Sequence, residues 1–151
     1  MTSVQELLDK YPHAQECVNQ AIGFFEHNNI PLYDLQWNEN TQRSSLTMKP
    51  LETISVFKKF VHGGYSLGVL DAIGAFTGLL SVIKEGYQCL TVRASADFYK
   101  TIDVDSEILI ITSISKEPGS QDTLNAHIDI TQMGILCIRG TLRLKKIRLI
   151  H

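Results

Sequence analysis

A chain of 151 residues, 44% hydrophobic and 20% charged, has the composition of one folded domain and not of a disordered segment. Its 14 basic and 16 acidic residues leave a net charge of −2, which excludes a protein built as a whole to coat nucleic acid. The charge is uneven: Arg139, Arg143, Lys145, Lys146 and Arg148 crowd the C-terminal end behind an acidic cluster of Asp97, Asp103, Asp105 and Glu107, so a local anion site stays available. Three cysteines (Cys17, Cys89, Cys137), odd in number and set among apolar residues, read as reduced thiols of an intracellular protein. With no Cys-x-x-Cys pair and five scattered histidines, neither a metal nor a cofactor is expected. The N-terminal stretch MTSVQELLDKYPHAQ lacks a signal or transit pattern, so the expected compartment is the cytoplasm, with a mitochondrial location left open.

In chain order, Ser3 and Glu6 have capping-box spacing ahead of Val4, Leu7, Leu8 and Tyr11 at helical intervals. Pro12 interrupts this pattern, and Ala14, Cys17, Val18, Ala21, Ile22 and Phe25 continue a second helix until Asn28, Asn29 and Pro31. Residues 1–30 therefore read as helices packed on a single domain that spans 1–151. Leu32 to Met48 reads as two strands about the turn Asn38-Glu39-Asn40. Tyr65 to Ile83 is the most apolar segment, closed by Lys84-Glu85-Gly86 as a helix end. Strands follow with period-two alternation. In the first, Leu90, Val92, Ala94, Ala96 and Phe98 share one face, and Thr91, Arg93, Ser95, Asp97 and Tyr99 the other. Ile108, Ile110, Thr112 and Ile114 mark a second strand, and Leu124, Ala126, Ile128 and Ile130 a third. The last runs from about Ile135 to Lys146. The pattern predicts an α+β fold, a sheet with one apolar face covered by one long helix.

Asp71 is the only charged residue from Tyr65 to Ile83. A membrane span would meet an insertion cost of roughly 2.5–3.5 kcal/mol at that carboxylate. A sheet in the same chain also explains the apolarity, so no membrane span is expected. Gly68, Gly74 and Gly78 are expected to let strands approach the helix. For Asp71 itself two readings stand: a cap or solvent-facing position, or a catalytic carboxylate, since active sites tolerate such desolvation. His62-Gly63-Gly64 precedes the helix, where free N–H groups and the positive end of the helix dipole could hold an oxyanion. Asp71 is about 10–12 Å further along the axis, so one carbonyl reaches both only if a neighbouring subunit closes the gap.

His62-Gly63-Gly64 followed by Leu70-Asp71, with Asp71 nine residues after His62, resembles the signature of hotdog-fold acyl-CoA thioesterases. The likeness is to the phenylacetate-degradation type and its eukaryotic relatives, over about Leu32 to Leu149. Arg139-Gly140-Thr141 resembles the small-residue strand of that family. The resemblance implies a hotdog fold with an N-terminal helical extension, and a homo-oligomer (dimer or tetramer) with sites at the dimer interface. It also implies acyl-CoA as substrate, hydrolysed to free acid and coenzyme A. Carried over, Asp71 is base or nucleophile, Gly63 the oxyanion donor and Gly64 support for the turn; Thr91 positions water, with Cys89 as the competing alignment. His62 is either a backbone-bonded structural residue or a proton-transfer group. Relatives bind coenzyme A phosphates near the turn after the acidic cluster and on the last strand, which makes Lys116, Ser120 and Lys145 candidates; a solvated strand face is the alternative. Many relatives carry Asn six residues before the His, where this chain has Val56, and Phe57-Lys58-Lys59-Phe60 replaces the usual lead-in. The rival function is therefore a hotdog protein that binds acyl-CoA as sensor or carrier without hydrolysing it.

Overall fold

The structure is a computed structural model that describes residues 1–51, 59–148 and the backbone of 55–56. The chain opens with a two-residue strand, β1 (Thr2–Ser3), and two helices, α1 (Val4–Lys10) and α2 (Pro12–His27). The capping box forms as its spacing predicts: the Glu6 N–H donates to Ser3 Oγ at 3.2 Å, and the Ser3 N–H donates to Glu6 Oε2 at 2.8 Å. Pro12 is the first residue of α2, where its missing N–H costs no helix hydrogen bond. Leu32–Asp34 is a short 3₁₀ turn, where the sequence reading has strand. The reason is the three-residue spacing of Leu32 and Leu35, both buried, which suits a helical turn. The expected hairpin follows as β2 (Gln36–Asn38) and β3 (Arg43–Met48), with the Asn38 side chain accepting from the Thr41 N–H at 3.2 Å.

Next come β4 (Ser55–Val56), β5 (Phe60–Val61) and the central helix α3 (Gly63–Val82). A 3₁₀ turn (Ile83–Glu85) ends at Gly86, whose φ of 84° gives the left-handed helix stop. Four long strands complete the chain: β6 (Tyr87–Phe98), β7 (Ile108–Lys116), β8 (Thr123–Gln132) and β9 (Ile135–Arg148). Seven strands form one antiparallel sheet in the order β1-β2-β3-β7-β8-β9-β6, which wraps α3. The strand that follows the helix thus lies at the far edge, beside the last strand.

The helix and its following turn are long and apolar enough to cross a bilayer, with a mean hydropathy of 1.8, but 67% of that window is buried within the fold. Its apolar residues serve the core: Leu70 and Ile73 meet Ile110, Ile128, Ile130 and Leu142 of the sheet in one buried cluster. Two helical glycines do what the sequence expects of them. A Cβ on Gly74 would lie 2.5 Å from Leu142 Cδ1, and one on Gly78 would lie 2.5 Å from Leu144 Cδ1, so both permit close approach of β9. Gly140 reciprocates on the strand, where a Cβ would strike Leu70. Gly68 differs from expectation, because it faces Phe24 of α2 and not a strand.

The largest departure from the expected pattern is in β6. The ladder with β9 pairs Thr91 with Leu144 and Arg93 with Arg143, so Val92 is an extra residue in a β-bulge. An inserted residue reverses the alternation. Thr91 consequently shares the helix-facing side with Ala94, Ala96 and Phe98, while Leu90 lies on the outer side with Arg93, Ser95 and Asp97.

Candidate functional site

Asp71 sits in the third turn of α3, on the helix face that β6 covers incompletely. It is half-buried and not a cap. Thr91 Oγ1 donates to Asp71 Oδ1 at 2.7 Å, a charge-assisted bond made possible by the bulge at Val92. Oδ2 has no hydrogen-bond partner among the described residues. Cys89, the alternative to Thr91, also faces the helix but packs at Gly78. Burial raises its thiol to about 12, and burial likewise raises the Cys17 thiol, so neither supplies a thiolate near neutral pH.

Asp71 lines a cleft of about 420 Å³ between α2 and α3. The helix face at Gly68, Ala72, Ala75, Phe76 and Leu79 forms its floor, α2 one wall and the start of β6 another. This is a predominantly apolar slot with one carboxylate in its wall, the usual composition of a small-molecule site.

At the N-terminus of α3, His62 is the N-cap: its Nδ1 accepts from the Gly64 N–H at 2.9 Å. The neutral ring in this arrangement carries its proton on Nε2. The capping bond is the structural role of His62 that the sequence left open beside proton transfer. It also engages Gly64, whereas the Gly63 N–H has no acceptor among the described residues. Gly63 borders a second cleft, of about 330 Å³, with Phe98, Tyr99, Lys100 and Thr101. At about 1.5 Å per residue, Gly63 and Asp71 are about 12 Å apart along the axis, so the two halves of the expected site do not meet within one subunit.

Lys116, Ser120 and Lys145 lie at one end of the sheet without a contact among them in the described residues. Ser120 Oγ donates to Asp122 Oδ1 at 2.9 Å, which with Thr123 holds the Asp122 carboxyl below its ordinary range. Thr123 pairs with Lys145, and Lys116 with Leu124. The pleat therefore assigns Lys116 to the helix-facing rows and Lys145 to the outer rows of the sheet. Val56 lies in β4, its side chain not described, and Phe57, Lys58 and Leu149 fall outside the described residues. Sequence reading missed the contribution of α2 to the cleft, although its apolar stripe, which includes Cys17 and Ala21, is wider than its core-facing residues Ala14, Val18 and Phe25 require. It also missed that Tyr99 and Lys100 lie beside Gly63, which the alternation of β6 does not show.

No protein-family model matches this sequence, and no curated protein matches it. Solved structures do match by fold. A thioesterase from Haemophilus influenzae superposes with a TM-score of 0.64 at 20% identity, over 72% of this chain and 74% of that one. A hypothetical thioesterase from Streptococcus pneumoniae, solved with coenzyme A, gives 0.65 at 18% identity over 77% and 85%. The PaaI protein of the E. coli phenylacetic acid degradation operon gives 0.61 at 13% identity over 70% and 73%. The architecture of this chain is thus that of hotdog-fold thioesterase structures, a long helix wrapped by an antiparallel sheet, with a short N-terminal helical part.

Proposed function

We propose that the protein is an acyl-CoA thioesterase whose catalytic carboxylate is Asp71. The observation that carries this reading is the Thr91–Asp71 hydrogen bond at the wall of an apolar cleft. A carboxylate with one oxygen held by a hydroxyl and the other open can attack a thioester or deprotonate a water. The Gly63 N–H, at the positive end of α3, is the donor for the oxyanion that develops on the carbonyl.

Because these groups are about 12 Å apart in one subunit, the reading requires a two-fold dimer in which Asp71 of one subunit faces Gly63 of the other. The edge strand β6 supplies the pairing surface. Its outer edge is unpaired among the described residues, and Leu90, Val92 and Phe98 are 51%, 58% and 54% exposed. Lys116, Ser120 and Lys145 are the candidates for the phosphates of coenzyme A. Three free cysteines fit an intracellular setting. The alternative, an acyl-CoA binder without turnover, draws on Val56 in place of the Asn that relatives carry.

Release of free thiol from acyl-CoAs separates the two readings. Asp71→Asn should fold normally and lose turnover by about 10²–10⁴-fold. Gly63→Pro removes the proposed donor at the first helical position, where proline is well tolerated, and should cost about 10²–10³-fold. Mixing the two inactive variants by refolding should restore about one quarter of wild-type activity, since each hybrid dimer holds one intact shared site. No recovery in hybrids of verified composition would rule out the shared site, and near-normal turnover by Asp71→Asn would remove Asp71 from the chemistry.

A further inference from the structure

The cleft beside Asp71 is built partly by α2, which lies before the region that resembles the thioesterases. Its α3 floor presents Gly68, Asp71, Ala72, Ala75, Phe76 and Leu79, a single stripe at helical spacing. The facing stripe of α2 is Cys17, Gln20, Ala21, Phe24 and Phe25. Two contacts fix the relative direction of the helices. The Phe24 ring lies 3.6 Å from where a Gly68 Cβ would be, and Cys17 Sγ is 3.6 Å from Gln88 Oε1 at the start of β6. The Phe25 and Phe76 rings meet edge-on with 5.9 Å between their centroids. The slot therefore begins at Phe24, Gly68 and Asp71 and runs toward Cys17, Leu79 and Cys89.

We propose that α2 is the measuring wall of an acyl-chain site, and that this slot takes a linear aliphatic acyl group of medium length with its carbonyl at Asp71. The proposal rests on the thioesterase reading for the position of the carbonyl and adds the class of acyl group. From Asp71 to Leu79 the floor is about 12 Å long at 1.5 Å per residue, the length of an extended chain of about eight to ten carbons. Small residues at Gly68, Ala72 and Ala75 keep the floor open, and Leu79 with the start of β6 closes the far end. Asp71 is the only charged side chain in the described lining. A neutral thioester fits that lining, whereas the free carboxylate formed by hydrolysis meets the Asp71 charge and is expelled. The two thiols in the lining, raised by burial, add no opposing charge.

Ala21 is exposed and faces the slot midway along α2, so a large side chain there obstructs the site without entering the core. Gly23 is the matched control: it is exposed on the same helix, with no described residue within 4 Å of a Cβ. The probes are non-hydrolysable S-alkyl thioethers of coenzyme A with two to sixteen carbons, titrated calorimetrically into the full-length protein, beside hydrolysis of the matching thioesters. Wild-type affinity should rise about four-fold per methylene to about eight to ten carbons and then level off. Ala21→Trp should level off by about four carbons and lose at least ten-fold for the octyl probe relative to the butyl probe. Gly23→Trp should follow wild type. Gln20→Trp obstructs the same wall and serves if Ala21→Trp does not fold. A chain-length profile that neither obstructing substitution changes would overturn the proposal. The two readings fail separately: the expected binding profile without thiol release removes the hydrolase and keeps the acyl slot, and hydrolysis with a flat profile does the reverse.

Discussion

Strands β6 and β8 carry nearly the same alternation in sequence and end in different states. β8 lies between β7 and β9, and its Leu124, Ala126, Ile128 and Ile130 are all buried while Asn125, His127 and Asp129 face outward. Ladders on both sides fix its register, and the core fixes its face. Among the described residues β6 has one ladder, with β9, and most of its residues are exposed. There a bulge at Val92 shifts the alternation and turns Thr91 toward Asp71. β8 keeps its alternation where the core packs on it from Leu124 to Ile130, and the ladder with β9 shifts only beyond that stretch; in β6, at the sheet edge, the irregularity aims a hydroxyl at a carboxylate.

The strongest way to break this comparison is to delete one residue from each strand. Loss of His127 from β8 should turn half of its side chains to the wrong face and abolish cooperative unfolding, followed by circular dichroism. Loss of Val92 from β6 should instead leave a regular ladder in which Thr91 still opposes Leu144 and faces Asp71, and keep both the melting temperature within a few degrees and thioester turnover. If both deletions unfold the protein, the bulge is structural.

A charge on the free edge sharpens the contrast further. Val92→Lys should convert the proposed dimer to a monomer by light scattering at micromolar concentration, because lysine on an edge strand opposes pairing. It should also remove activity if the site is shared. An unchanged mass would mean that β6 is not the contact.

Thr91→Val tests the hydroxyl alone. It removes one hydrogen bond of about 1–2 kcal/mol to a charged acceptor, so kcat should fall about ten-fold with the fold retained. A kcat within two-fold of wild type would reduce the Thr91–Asp71 bond to a packing detail.

The smallest effect is expected on the outer face of β8, where Arg139 of β9 donates to Asp129 at 2.8 and 2.9 Å. The bond from Arg139 holds the Asp129 carboxyl below its ordinary range. Its stabilisation is therefore fully present above the unfolded-state value near pH 4 and is lost as pH falls through the depressed folded value. In this exposed setting the pair should contribute less than about 1 kcal/mol. Asp129→Asn should lower stability slightly at pH 7 and have no effect well below pH 3; a difference that persists in acid would place its origin elsewhere.

The sequence by itself determined the elements that local physics governs. The capping box at Ser3, the long apolar run after His62-Gly63-Gly64, the stop at Gly86 and the alternation of β7 and β8 are written in short-range patterns, and so was the helix around Asp71. Tertiary structure alone decided which strand pairs with which, that β6 lies at the edge, and that Val92 is an extra residue there. It likewise decided that Thr91 reaches Asp71, and that Cys17, Ala21 and Phe24 wall the cleft. These outcomes depend on residues far apart in the chain, and no repeating pattern encodes them. An alternating strand shows which residues share a face only while its register is unbroken, and a bulge shows itself only against its partner strand.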